Sequence, residues 1–187
     1  LSIHLDENLK LILFVYLLLN ITYSFFLKKI IFVDVLFLSI FFNIRILAGI
    51  IIDFDSLISK RFLVYTGLIF LSLGFLKRFV EILNTSKLKL NGRGYGYKDK
   101  NLLLFLGLLS LLLSFCSFLV SYKYLSILNQ YSLVNLFGLI LLLYFWLLYL
   151  WWAGYSKKFH NDPVVFATKD KISIFILMGI FILVMFS

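Results

Sequence analysis

Six stretches of mostly apolar residues follow one another along the chain, and they constrain its fold more than any other feature. A helix that crosses the roughly 30 Å hydrocarbon core of a bilayer needs about 20 such residues. Because a backbone in lipid must satisfy its own hydrogen bonds, and the alternation of a membrane barrel is absent, we predict helices. The predicted spans are Leu9–Leu27, Ile30–Ile52, Phe62–Leu83, Leu102–Val120, Ser132–Trp152 and Ile172–Phe186. The sequence therefore predicts an all-α, polytopic transmembrane bundle of six helices.

The composition supports lipid as the main solvent of the chain. Hydrophobic residues make up 63% and charged residues 14% of the sequence, whereas soluble domains have about 45–50% and about 25%. The net charge is +9, but no basic soluble module carries it, so we expect the partner to be the membrane and not a nucleic acid.

The basic residues are unevenly distributed between the two sets of connections. Four lie near the outer ends of the spans, and thirteen lie in the first, third and fifth connections or at the adjoining span ends, which the positive-inside rule places in the cytoplasm. These thirteen are Lys28, Lys29, Lys77, Arg78, Lys87, Lys89, Arg93, Lys98, Lys100, Lys157, Lys158, Lys169 and Lys171. We therefore predict a multi-pass protein of the inner (plasma) membrane with its active-site loops on the cytoplasmic side. Trp151, Trp152 and Tyr155 fit an aromatic belt at that interface.

Two ionisable residues lie inside the second span. Such residues usually face a cavity or a partner, since insertion of a charge at a helix centre costs roughly 2.5–3.5 kcal/mol. Arg45 either snorkels to the outer interface or lines a polar cavity. Asp34 lies near the cytoplasmic end, where it could pair with Lys28 or Lys29, stay hydrated, or bind a cation.

The third span ends in a short charged segment. Lys77 and Glu81 are four residues apart and Arg78 and Glu81 are three apart, so the side chains share one helical face. The segment is either a set of salt bridges at a helix end or a cluster in which the cations hold phosphate oxygens and Glu81 holds a cation or orients a hydroxyl.

The third and fifth connections carry further candidates. The segment LKLNGRGYGYKDK is either a flexible basic loop or a loop that closes over an anionic ligand, and it lacks the ending of a P-loop. Asp162 before Pro163 predicts a turn, and Asp170 is a candidate N-cap for the last span.

Taken together, five segments resemble the decaprenyl-phosphate phosphoribosyltransferase branch of the UbiA-type membrane prenyltransferases. They read YSFFLKKIIFVDV, FFNIRILAG, LGFLKRFVEI, RGY and DPVVFATKDK, in the family's order from about Thr22 to Lys171. The matching residues are Tyr23, Ser24, Leu27, Lys28, Asp34, Val35, Arg45, Ala48, Gly49, Lys77, Arg78, Glu81, Arg93, Gly94, Tyr95, Asp162, Pro163, Asp170 and Lys171. Lys171 stands where the family usually shows Arg.

The resemblance implies an activity and a set of site residues. The implied reaction is the Mg²⁺-dependent transfer of 5-phosphoribose from phosphoribosyl diphosphate to a polyprenyl (decaprenyl) phosphate, a step in the synthesis of cell-envelope precursors. Glu81 and Lys77 are the implied catalytic residues, and Glu81 and Asp34 the implied metal ligands. The implied contacts to substrate and phosphate are Lys28, Arg45, Lys77, Arg78, Arg93, Tyr23 and Asp170.

The sequence departs from the family in one respect that affects the predicted domain and the alternative functions. The family has nine helices, and its first aspartate-rich motif, of the NDxxDxxxD type, is absent here. We therefore expect 1–187 to be a single, N-terminally incomplete UbiA-like domain with the last six helices. Two alternatives stay open: a UbiA-type enzyme that transfers a prenyl group from a prenyl diphosphate to an aromatic or cyclic acceptor, and an inactive fragment or subunit.

Overall fold

A computed structural model describes residues 7–52, 60–85, 93–125, 133–158 and 162–185, and most of these residues are helical. These described residues contain six long helices and one short helix. The helices are α1 (Glu7–Phe25), α2 (Val33–Ile52), α3 (Lys60–Asn84), α4 (Lys100–Leu125), α5 (Leu133–Tyr155), α6 (Pro163–Ala167) and α7 (Lys171–Met185). Single 3-10 turns at Leu27–Lys29 and Tyr97–Asp99 precede α2 and α4.

The six long helices confirm the predicted all-α bundle, with ends that differ by a few residues. Four described helices are long and apolar enough to cross a membrane, through Val33–Ile50, Arg61–Asn84, Tyr97–Val120 and Phe137–Tyr155. The apolar segments of α1 and α7 are shorter. The chain is therefore a membrane protein. The prediction did not include α6, which occupies the place of the turn expected at Asp162 and Pro163.

Helix α3 is the centre of the bundle, because it packs against α2, α4 and α5. Small residues let the helices approach closely, as is usual where lipid provides no hydrophobic drive for association. Ser39 Oγ of α2 donates to the Gly67 carbonyl of α3 over 2.7 Å. Ser72 Oγ of α3 donates to the Gly107 carbonyl of α4 over 2.8 Å and accepts from Trp151 Nε1 of α5 over 3.0 Å.

This bond also corrects part of the aromatic-belt interpretation. Trp151 is 4% exposed and packs inside the helix interface, whereas Trp152 and Tyr155 are 54% and 62% exposed. Only Trp152 and Tyr155 have the exposure that a membrane-interface aromatic residue needs.

The described parts of the first, third and fifth connections lie at one end of the bundle. Phe32 before α2 contacts Tyr95 before α4, and Lys77 of α3 pairs with Asp162 before α6. This common end agrees with the predicted grouping of the connections, and its assignment to the cytoplasm stays a prediction. We call it the charged end.

Candidate functional site

Asp34 is the centre of a polar cluster at the charged end. Its side chain is fully buried in the first turn of α2. Tyr23 of α1 donates its hydroxyl to Asp34 Oδ1 over 2.6 Å. The carboxylate pairs with Arg78 and Arg93 and not with Lys28 or Lys29, the partners that its position in the sequence suggested.

Arg78 connects two carboxylates. Its Nε and Nη2 donate to Asp34 Oδ2 and Oδ1 over 2.5 and 3.2 Å, and its Nη1 donates to the two oxygens of Glu81 over 2.7 and 2.8 Å. The arginine is only 1% exposed. A planar fork of this kind holds two acids in fixed directions, which a lysine could not do.

Arg93 closes the cluster from the segment before α4. Its Nη1 lies 3.3 Å from Asp34 Oδ2 and 3.6 Å from Glu81 Oε2. Its side chain is 27% exposed, as is that of Glu81. Two arginines thus face two carboxylates, and the charge of this group is balanced. Arg93 and Glu81 are the members that a ligand at the charged end could reach.

Gly94 and Tyr95 pack against the turn that positions Asp34. The Phe32 backbone has a φ of 65°, and its N–H donates to the hydroxyl of the buried Tyr95 over 2.8 Å. Burial raises the pKa of Tyr95 to about 12, so its hydroxyl stays protonated well into the alkaline range. Gly94 packs so closely that a Cβ there would lie 2.8 Å from the Lys29 carbonyl oxygen. Tyr95 is therefore a positioning residue for Asp34.

Lys77 forms a second ion pair, with Asp162. Both side chains are about one-third exposed. Asp162 also caps α6, because its Oδ1 accepts from the Val164 N–H over 3.1 Å. Burial acts to raise the pKa of Asp162, but the hydrogen bond from Lys77 and the capping bond outweigh it and leave that pKa below its usual value. The pair fastens the start of α6 to α3, and we call it the Lys77–Asp162 latch.

The latch predicts a pH dependence in the acid range. Because the folded-state pKa of Asp162 is lowered, its stabilisation is complete above the ordinary value of 3.8 and is lost as the pH falls through the folded-state pKa. Partial exposure limits this stabilisation to about 1 kcal/mol or less. Thermal unfolding of the native chain and of Lys77→Met should therefore differ by a constant amount from neutral pH to about pH 5. The difference should disappear in stronger acid, and one that grows there would contradict the assignment.

Asp170 lies outside the cluster among the described residues and has a structural role. Its Oδ2 accepts from the Ser173 N–H over 2.9 Å and from the Tyr149 hydroxyl over 2.8 Å. The first bond confirms the predicted N-cap of α7. The second ties α7 to α5. These contacts do not support Asp170 as a phosphate ligand, and that assignment stays a prediction.

Arg45 and Lys28 are also separate from the cluster. Arg45 is eleven residues after Asp34 on α2, which corresponds to about 16 Å of helical rise. It is exposed and bonds to Tyr16 of α1. Lys28 lies in the turn before α2 at the charged end, and it makes no ion pair with the described part of the chain. The assignments of Arg45 and Lys28 as phosphate contacts stay predictions.

The residues of the cluster do not fit a Mg²⁺ site. Asp34 is fully buried, and both of its oxygens already accept from arginine. Glu81 accepts from Arg78 with both oxygens. Within the ranges that the structure describes, no group of three or more His, Cys, Asp or Glu side chains could hold a metal ion. We therefore assign no chemical step to a metal bound by these residues.

Two residues of the site were not among the predicted site residues. Tyr95 had entered only as a match to the family's motifs, and Asp162 only as such a match and as the start of a turn. The Asp-Pro pair signals a helix start, since proline is favoured in the first turn and aspartate as a cap. No local pattern predicts that Lys77 of a distant helix would bind the same carboxylate.

Comparison with known proteins identifies an uncharacterized relative. The chain is 31% identical over 182 residues to the uncharacterized protein y4nM of Sinorhizobium fredii, an alignment that covers 92% of the chain and 34% of that protein. The chain thus spans about one-third of the length of the curated relative that it matches. No family model and no solved structure matches the chain. The comparison gives no activity, so the functional interpretation depends on the geometry of the charged end.

Proposed function

We propose that the charged end is the active site of a membrane transferase that moves 5-phosphoribose from phosphoribosyl diphosphate to a polyprenyl phosphate. One observation carries the proposal: residues from four of the resembling segments, far apart in sequence, meet at one end of the bundle. They are Tyr23, Asp34, Lys77, Arg78, Glu81, Arg93, Tyr95 and Asp162. Because packing of apolar helices does not require such groups, a buried charged network between spans is by default a functional site.

The cluster suggests different roles for its cations. Lys77 and Arg93 are 34% and 27% exposed, so they are the residues that a phosphate group can contact. Arg78 is buried and fully engaged with Asp34 and Glu81, which fits a positioning role better than direct contact with a ligand. An anionic ligand that binds Lys77 would compete with Asp162 for the same ammonium group.

The chemistry needs positive charge more than it needs a base. In the transfer, a phosphate oxygen of the lipid forms a bond to the anomeric carbon while the bond from that carbon to diphosphate breaks. The attacking oxygen already carries negative charge at neutral pH, since the second pKa of a phosphate monoester is about 6. Negative charge develops on the departing diphosphate, and cations fixed beside it lower the barrier. In this proposal Lys77 acts on that charge, and Glu81 holds Arg78 and Arg93 in place.

The experiment is a transfer assay with membranes in which the protein is expressed from its native locus. Ribose-labelled phosphoribosyl diphosphate and decaprenyl phosphate are supplied with and without Mg²⁺, and the label extracted into organic solvent is counted. Lys77→Met should lower the rate by about 100-fold, the usual effect of removing one group that stabilises developing charge. Lys169→Gln is the matched control, because Lys169 is exposed near the same end and lies outside the cluster.

Three other results would contradict the proposal or one of the residue roles in it. Transfer of a prenyl group from a prenyl diphosphate to an aromatic acceptor, with no ribose transfer, would identify the sister reaction. No transfer from either donor, with the protein present and folded in the membrane, would indicate a fragment or subunit. Equal rates for the native chain and Lys77→Met would exclude the latch lysine from the site.

A further inference from the structure

The guanidinium group of Arg45 lies at a depth where a membrane protein rarely exposes charge. Arg45 follows Val33 by twelve residues and precedes Ile52 by seven. At the helical rise of about 1.5 Å per residue, it is about 18 Å from one end of α2 and about 10 Å from the other. The side chain is nevertheless exposed on the surface of the bundle.

The side chain of Arg45 points away from the nearer end of the helix. Helical side chains lean toward the N-terminus, and here the guanidinium carbon lies 5.3 Å from the ring centroid of Phe42, one turn closer to Val33. It also lies 5.5 Å from the ring centroid of Tyr16 of α1. A snorkelling arginine would extend toward Ile52 and the water beyond it. Arg45 instead places its charge deeper in the apolar layer.

The contacts of Arg45 do not neutralise its charge. Its Nε and Nη2 donate to the neutral hydroxyl of Tyr16 over 3.1 and 2.6 Å. Among the described residues no carboxylate forms an ion pair with it, in contrast to Arg78 and Arg93. A charged side chain at this depth normally has a partner of opposite charge.

The surface around Arg45 has room for another helix. Gly49 lies one turn further along the same face of α2, and apart from its chain neighbours and the nearby backbone of α2, no atom of the described residues lies within 4 Å of the position that a Cβ there would occupy. One turn before Tyr16 on α1, which packs mainly on α2, Leu13 is 45% exposed, and one turn before Arg45 on α2, Phe42 is 38% exposed. We call this surface, with Tyr16, Arg45 and Gly49, the Arg45 face.

We infer that the Arg45 face binds a transmembrane helix from outside residues 1–187 that carries an Asp or Glu near the middle of the bilayer. A second copy of the chain is a poor occupant, because the acidic residues that the structure describes lie at or beyond the ends of its helices. These are Glu7, Asp34, Glu81, Asp99, Asp162 and Asp170. A lipid phosphate is also a poor occupant, since head groups lie at the interface and not at this depth. The inference is independent of the proposed transfer reaction.

Binding can be tested with leucine-rich transmembrane peptides that differ only at their central residue, which is Glu, Gln or Leu. The chain is reconstituted in phosphatidylcholine vesicles with an acceptor dye on Cys116, its single and exposed cysteine, and energy transfer from labelled peptide is titrated. We expect the Glu peptide to bind the native chain about tenfold more tightly than the Leu peptide, the range that polar contacts between membrane helices give.

Variants of the chain assign the effect to Arg45. Arg45→Leu should remove the preference for the Glu peptide, and Lys171→Leu, which removes an exposed charge at the start of α7, should keep it. Equal binding of the three peptides by the native chain would overturn the inference, and this result needs no variant to fold. Displacement of the Glu peptide by a low mole fraction of decaprenyl phosphate would also overturn it, because the face would then be a site for lipid phosphate.

Discussion

Replacement of Arg78 by alanine is expected to destabilise the protein by about 3–5 kcal/mol, because it leaves a buried carboxylate without its main counter-ion. Asp34 is fully buried and would retain only Tyr23 and the more distant Arg93. Glu81 would lose both of its short hydrogen bonds. Unfolding in mixed micelles, followed by circular dichroism as denaturing detergent is added, measures the loss.

Two further variants separate the charge of Arg78 from its geometry. Arg78→Lys keeps one positive charge but cannot form the fork, so we expect it to recover part of the stability and little of the transfer rate. Displacement of reacting groups by about 1 Å commonly costs about 100-fold in rate. Asp34→Asn combined with Arg78→Gln removes both charges, and this double variant should be more stable than Arg78→Ala. If Arg78→Ala is as stable as the native chain, Asp34 is not buried as the structure shows.

Replacement of Gly107 by alanine is expected to separate α4 from α5 at the level of Trp151. A Cβ at Gly107 would overlap the Cζ2 and Cη2 atoms of Trp151 and lie 3.1 Å from Phe75 Cβ. The indole cannot withdraw without losing its bond to Ser72, which itself bonds to the Gly107 carbonyl. Overpacking of a filled interior costs about 1–3 kcal/mol, and tryptophan fluorescence together with the unfolding midpoint measures the change.

Gly138 is the matched control for Gly107. It lies within α5, and apart from its chain neighbours and the nearby backbone of α5, no atom of the described residues is within 4 Å of the position of its missing Cβ. Alanine favours a helix over glycine by about 1 kcal/mol, so Gly138→Ala should be neutral or stabilising. Combining Gly107→Ala with Trp151→Leu should recover part of the lost stability, because a smaller side chain makes room for the methyl group. Equal destabilisation by the two glycine variants would contradict the packing described for α4 and α5.

Local residue patterns were sufficient to predict the long helices and some of the residues that cap them. The six apolar segments predicted the long helices because burial in lipid and backbone hydrogen bonding depend on contiguous sequence. The N-cap role of Asp170 was predicted in the same way, from its position just before an apolar segment. The pairing of Arg78 with Glu81 follows from spacing along one helix.

The partners of most charged residues depended on contacts between helices. Asp34 pairs with Arg78 and Arg93 and not with the adjacent lysines, and Lys77 pairs with Asp162 and not with Glu81. Arg45 bonds to Tyr16 of α1, a partner that its position in the sequence did not indicate. Spacing along a chain defines neighbours only within a turn or two of one helix. Which residues of α1, α2, α3 and the later connections meet depends on how the helices pack and rotate against one another, and only the tertiary structure decides that.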